Sequence, residues 1–154
     1  MAFDIQLVWD NTTGFAQWVL QDGGLSTGSD LETSVILSLF TDKAAPSDYV
    51  PVSGDVSFDR RGHFSDTYTG KQRGSWLWLL NRGVFSASTN LVLLARDYCK
   101  DALQWLIDDG VAAAINVQVQ RSTPTTLAIQ IIITEPKTFR KTAFQYSYVW
   151  NQAI

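Results

Sequence analysis

The sequence predicts an α+β fold: a mainly antiparallel sheet, made of a C-terminal three-stranded meander and a short N-terminal hairpin, packed against two main helices, with a long central loop. Three observations carry this expectation. The last third of the chain holds three runs of alternating apolar and polar residues, AINVQVQR, LAIQIIIT and AFQYSYVW, separated by the turn formers STPTT and EPKTFRK. Two earlier segments repeat apolar residues at helical spacing. Between those helices lie about thirty residues, 43–72, with no period at all.

Taken in chain order, FDIQLVWD alternates, with Phe3, Ile5, Leu7 and Trp9 on one side and Asp4, Gln6, Val8 and Asp10 on the other. NTTG turns the chain, AQWVLQ pairs back, and DGG closes the unit. In STGSDLETSVILSLFTD, Ser29 and Glu32 form a capping box, each side chain satisfying a backbone N–H at a helix start. That helix runs to about Thr41. Leu31, Val35 and Leu39 form one stripe, and Ile36, Leu37 and Phe40 make it apolar almost all round, which calls for burial.

Residues 43–72 contain two prolines, several glycines and four aspartates. A structureless stretch of that length is uncommon in a folded domain and is usually functional or ordered by a partner. GSWLWLLNRG then predicts a short helix presenting Trp76, Leu77, Leu79 and Leu80, closed by Gly83. A longer helix begins near Ser88 or Thr89. Leu91, Leu94, Tyr98, Ala102, Trp105 and Leu106 recur along it, and Gly110 caps its end. In the closing meander, Ile115, Val117 and Val119 face the same core as Leu127, Ile129, Ile131 and Ile133, and Phe144, Tyr146, Tyr148 and Trp150 share one face.

With 154 residues, of which 45% are hydrophobic and 18% charged, the chain is expected to be a single domain, 1–154, with a sizeable core. The single Cys99 allows no internal disulfide and suits a reducing compartment. The N-terminus lacks the basic start and apolar run of a signal peptide, and SVILSLF and IQIIIT are too short to span a bilayer. A soluble protein made inside a cell, with no membrane partner, is expected. Net charge is −3 but unevenly placed: residues 1–59 hold one cation, Lys43, against nine carboxylates, whereas residues 60–154 hold eleven cations against six. Such a chain is electrically two-faced if folding keeps the segments apart, and the asymmetry cancels if folding interleaves them. No dense basic cluster interleaved with aromatics points to nucleic acid.

Catalytic and metal chemistry find little to work with. The only histidine, His63, stands in RRGHFSD, far in sequence from Cys99, so a zinc site would need carboxylates to complete it. The aspartates of DVSFDRRGHFSD, among them Asp55, lack EF-hand spacing. No G-x-S-x-G, phosphate loop or dinucleotide fingerprint is present. Glu32 and Glu135 are the only glutamates for a glycosidase pair, one in a helix cap and one before Pro136. The chain is therefore expected to be no enzyme and to hold no cofactor or metal. The preferred reading of RRGHFSD is a folded loop touching another protein, in which Asp59 or Asp66 pairs with Arg60 or Arg61 while Phe64 and Tyr68 anchor it to the body. Asp108 and Asp109 sit at a helix C-terminus, where the macrodipole disfavours anions, so they face either a basic partner or a cation of the chain itself. The aromatic face of AFQYSYVW fits core packing, yet a final strand of this kind is often an edge open to another chain's strand.

In the order DLETSVILSLFTDKAA, DRRGHFSD, GSWLWLLNRG, YCKDALQWLIDDGVA, two strands and a tail ending YSYVW, the chain resembles the baseplate wedge proteins of Mu-like contractile-tailed phages. The resemblance covers roughly residues 3–150, and that family is in turn similar to the sheath-initiator (lysozyme-like W) proteins of other contractile tails. It implies a small structural wedge subunit, six copies to a baseplate, joining other wedge proteins to the tail tube or hub and to the first sheath ring, and helping to initiate the sheath. The implied location is the tail baseplate of the virion, assembled in the host cytoplasm. A tail-associated cell-wall hydrolase is the alternative. Where Mu-like members read R-G-W-W-G-D, this chain has Arg61-Gly62-His63-Phe64-Ser65-Asp66, which keeps an aromatic loop and argues against shared chemistry at His63. The expected interface residues are Arg60, Arg61, His63, Phe64 and Asp66 in the loop, Asp108 and Asp109 at the helix end, and Phe144, Tyr146, Tyr148 and Trp150 on the last strand.

Overall fold

The computed structural model describes residues 5–28, 30–50, 59–82 and 90–150. Phe3, Asp4, the capping residue Ser29, Asp55, Gly83, Ser88 and Thr89 lie outside the described residues. The fold is α+β. Its C-terminal strands β5 (Ala114–Thr123), β6 (Thr126–Thr134) and β7 (Lys141–Val149) form an antiparallel meander in that order. The register sets Ile131 between Val117 and Phe144, and Ile129 between Val119 and Tyr146. The buried apolar residues of the three strands therefore share one face, while Ile132 and Val149 lie on the other. Leu127, Ile129, Ile131 and Ile133 are fully buried there. Each contributes about 1.5–3 kcal/mol of transfer free energy, which makes β6 the centre of the core. The opposite face carries no carboxylate, and Gln118, Gln130 and Gln145 lie abreast across it.

A long helix, Asn90–Asp108, packs along β5, and the helix Asp30–Phe40 packs against it and against strand β1 (Leu7–Asp10). On the long helix the buried set is Leu91, Ala95, Cys99, Ala102, Leu103 and Leu106. The sequence stripe through Leu94, Tyr98 and Trp105 is thus displaced to one side. Small Ala95, Cys99 and Ala102 let the helix approach the sheet closely, and the larger residues flank the contact. Trp105 is largely exposed, its indole N–H donating to Ser38 Oγ at 2.8 Å. Gly110 ends the helix as expected: at φ 74° it allows Val111 N–H to reach Leu106 O and its own N–H to reach Ile107 O. On the other helix Val35, Ile36 and Leu39 are buried, but Leu37 is half-exposed. The helix is not buried all round, because the sheet and its neighbours cover only part of its circumference.

The N-terminal hairpin pairs β1 with β2 (Phe15–Trp18), placing Leu7 in the core and Trp9 against it. AQWVLQ does not run on as one strand. It breaks at Val19, and a second ribbon follows, β3 (Leu20–Gln21) with β4 (Gly24–Leu25). Gln6 N–H then donates to Ser26 O at 2.9 Å and Ile5 bridges Thr27, so residues 5 and 6 are tied to the chain that follows β4. Ile5 is exposed, contrary to the alternation, since only Leu7 and Trp9 reach the helix beneath. The central segment is also less structureless than its sequence suggests. One helical turn, Asp66–Thr69, interrupts it, and GSWLWLLNRG folds as a 3₁₀ helix, Leu77–Arg82, with Leu77, Trp78, Leu79 and Leu80 buried.

In chain order the three α-helices are α1 (Asp30–Phe40), α2 (Asp66–Thr69) and α3 (Asn90–Asp108). Cys99 lies where α3 meets the core, and burial pushes its thiol up to about 12. Because the folded value exceeds the ordinary value of 9.0, this contribution to stability is complete below pH 9 and is lost as pH rises toward about 12. Unfolding free energy measured by urea titration should therefore fall across that window in the wild type and fall less in Cys99→Ala. Native protein should also resist thiol alkylation until it is unfolded.

Candidate interaction surfaces

The central loop is built on two tryptophans. Trp76 Nε1 donates to Ala44 O and Trp78 Nε1 to Lys43 O, both at 2.9 Å, so a half-buried and a buried indole pin the chain that leaves α1. Lys43 and Arg61 cover the outer faces: the Lys43 Nζ is 4.4 Å from the Trp76 ring centroid and the Arg61 guanidinium 4.7 Å from that of Trp78. Each cation also has a carboxylate, Lys43 with Asp101 on α3 at 2.8 Å and Arg61 with Asp42. Beneath them Asp42 and Ser75 form a parallel bridge, closed by Lys43 N–H to Ser75 O at 3.0 Å and Ser75 N–H to Thr41 O at 2.9 Å. Gly74, at φ 97°, is required for that approach; a Cβ there would lie 2.2 Å from Thr41 O.

From this base the residues of RRGHFSD take positions unlike those expected. Arg60 pairs with neither Asp59 nor Asp66; its guanidinium donates to the carbonyls of Pro46 and Tyr49. Asp59 instead accepts from Arg61 N–H at 2.9 Å, which holds Arg61 at φ 56°. Asp66 is a backbone clip, accepting His63 N–H at 3.2 Å with one oxygen and Arg73 N–H at 3.1 Å with the other. His63 Nδ1 lies 3.2 Å from Ser65 N and 2.6 Å from Ser65 Oγ, which ties the ring back onto the loop. Phe64 and Tyr68 do not anchor the loop. They are 80% and 86% exposed, because polar groups and tryptophans already hold the segment and leave no apolar recess for them. The outcome is a pinned loop carrying two outward aromatic side chains, an unusual use of apolar area unless a partner covers it.

The last strand divides its labour by face and edge. Its aromatic face belongs to the core: Tyr146 and Trp150 are buried, and Phe144 and Tyr148 pack partly against the same cluster. Trp9 stacks on Phe40 at 3.7 Å, and Phe40 in turn meets Tyr146 and Tyr148. Burial pushes the Tyr146 and Tyr148 hydroxyls well above their ordinary range, and the Tyr146 hydroxyl has no hydrogen-bond partner among the described residues. What β7 leaves open is its edge. Ser147 turns its backbone outward, donating to Asn11 Oδ1 at 2.9 Å and accepting from Trp9 Nε1 at 3.1 Å. The alternation of an antiparallel ladder turns the N–H and C=O of Ala143 and Gln145 outward too, beyond the two hairpin side chains that cover Ser147.

Asp108 and Asp109 are exposed at the end of α3, and among the described residues neither forms an ion pair; Asp108 accepts only from Gln104, at 3.1 Å. Glu32 is partly buried, and desolvation pushes its carboxyl up. No group of three or more potential metal ligands occurs among the described residues, and no helix of theirs is long and apolar enough to cross a membrane.

The family model for phage protein GP46 matches residues 31–140, from the first turn of α1 to the residue before β7. This chain belongs to the phage protein GP46 family. It is 38% identical over 135 residues to a protein named baseplate protein gp46 of Escherichia phage Mu, a match spanning 86% of this chain and 88% of that one. It is 34% identical over 144 residues to the Mu-like prophage FluMu protein gp46 of Haemophilus influenzae, spanning 89% and 95%. The pinned loop of this GP46 chain lies inside the matched span, and the open strand edge begins where that span stops.

Sequence reasoning singled out the loop but missed its base. Asp42, Lys43, Trp76 and Trp78 make the platform, and the available signal was the pairing of a lone early cation with a tryptophan-rich segment. Gly74→Ala should cost about 2 kcal/mol or more by urea unfolding, since backbone and bridge must both give way. Phe64→Ala and Tyr68→Ala should change stability by no more than about 0.5 kcal/mol. A larger loss at either aromatic would mean that it packs on the body after all.

Proposed function

We propose that this GP46-family chain is a structural, non-enzymatic component of a phage tail baseplate, residing in the virion after assembly in the host cytoplasm. In this reading it is a wedge subunit of a contractile tail, present in six copies, that joins other wedge proteins to the tail tube or hub and to the first sheath ring. The observation carrying the proposal is the match, over most of both chains, to a phage Mu protein named as a baseplate protein. The structure supports it by what it holds ready for neighbours: Phe64 and Tyr68 outward on a pinned loop, exposed carboxylates at Asp108 and Asp109, and an outward backbone at Ala143 and Gln145.

Each feature has a distinct task. Phe64 and Tyr68 supply apolar contact area to a neighbouring wedge chain, and little ordering cost remains because the loop is already fixed. Arg60, Arg61, His63 and Asp66 hold those rings at their angle and serve the interface through the loop's shape. Asp108 and Asp109 set orientation against a basic surface. Phe144, Tyr146, Tyr148 and Trp150 anchor β7 from within, so that its edge can accept a strand and help initiate the sheath.

The test is complementation of a phage lacking the gene. Phe64→Asp with Tyr68→Asp should give a folded monomer that is absent from purified tails. Gln145→Pro, which blocks an outward N–H and leaves the aromatic face intact, should give particles whose sheath is poorly seated. Normal contractile tails from the first variant would remove the loop from assembly, and normal sheath from the second would remove the strand edge. Peptidoglycan clearing by the purified wild-type chain would replace the structural reading with a hydrolase.

A further inference from the structure

Two exposed features of this chain are costly in isolation and complementary to one another. The first is the turn between β6 and β7. Phe139 N–H donates to Glu135 O at 3.1 Å and Glu135 N–H to Arg140 O at 2.9 Å, which holds Phe139 at φ 54°. That is the left-handed region, where a bulky side chain is a genuine outlier and glycine or asparagine is the ordinary choice. Its ring nevertheless stands 72% exposed, so no burial within the chain offsets the strain. Lys137, Arg140 and Lys141 stand within two residues of it in the chain. Arg140 pairs with Glu135 at 3.5 Å, while Lys137 and Lys141 form no ion pair among the described residues. The turn is an aromatic knob in a basic collar.

The second feature is the β3–β4 ribbon. Leu20 lies opposite Leu25, so both occupy one face, and Trp18 stands two residues before Leu20, across the break at Val19. Trp18 and Leu20 are 68% and 75% exposed, and Leu25 is exposed as well. The turn between the strands carries Asp22, itself at φ 51° and with no ion pair among the described residues. Residues 5–42 contain no lysine or arginine, while Asp10, Asp22, Asp30, Glu32 and Asp42 lie there, the last of them paired with Arg61. The ribbon is an apolar surface with an acidic residue, Asp22, at its turn.

Because Phe139, Trp18 and Leu20 all remain exposed, knob and ribbon do not cover each other within one chain. We infer that copies of this chain associate head-to-tail, the Phe139 turn of one seated on the Trp18–Leu20–Leu25 surface of the next, with Lys137 and Lys141 facing Asp22. Charge sign, apolar content and the unrewarded strain at Phe139 all select this occupant. A contact between two different patches repeats, closing into a ring or extending as an open chain. The inference stands apart from the baseplate assignment, since a chain that never touches its own copy can still be a baseplate part.

The experiment is sedimentation velocity of the full chain over a concentration series at low and moderate salt. Self-association weakened by salt is expected. Asp22→Lys alone, or Lys137→Asp with Lys141→Asp, should weaken it about tenfold or more, and combining the two sets should restore it. Phe139→Gly should abolish association while leaving the melting temperature unchanged or higher, because it removes the knob and the strain together. A wild type that stays monomeric throughout, or an oligomer indifferent to Phe139→Gly and to the charge reversals, overturns the inference.

Discussion

The constraint on which the rest depends is that the meander has one apolar face and must cover it. Leu127, Ile129, Ile131 and Ile133 of β6 are fully buried only because α3 lies along β5 and α1 packs beside α3. Burying this face fixes the register of all three strands, since a slip of one residue would turn the isoleucines to solvent and the glutamines inward. It also fixes where α1 ends. From that end the chain leaves through Thr41 and Asp42 to the bridge with Ser75, and the loop platform follows.

The remaining cover is aromatic. β7 is the outer strand, and its rings are closed over by Trp9 and Phe40. The same hairpin reaches round to satisfy Ser147 with Trp9 Nε1 and Asn11 Oδ1, so one element caps both the face and part of the edge. Side chains standing in for a neighbouring strand at one point, with outward backbone beside them, give the edge a defined open stretch instead of an unguarded length. Core and contact surface are consequently coupled: the rings inside hold the edge that faces out.

Much of this was legible in the sequence, and the misses have physical causes. Strand alternation located the meander and its apolar and aromatic faces, because a two-residue period sends alternate side chains to the same side. Helical spacing located both long helices, yet set the buried stripe of α3 off line by weighting Leu94, Tyr98 and Trp105 above the small residues that make close contact. Long-range bonds left no periodic trace. Nothing local tells that Trp76 and Trp78 reach back to Ala44 and Lys43, or that Asp66 spends both oxygens on backbone N–H groups. The same blindness explains Phe64 and Tyr68, which look like anchors until polar groups are seen to hold the loop without them. Family membership was legible from the order of short motifs, none decisive alone.

The most direct measurement is hydroxyl-radical footprinting of the free chain and of intact tails, read at Phe64 and Tyr68 by mass spectrometry. Rapid oxidation of both in the free chain and strong protection in the particle is the expected result. Equal oxidation in the two states, with the chain present in the particle, would contradict a docking role for the loop.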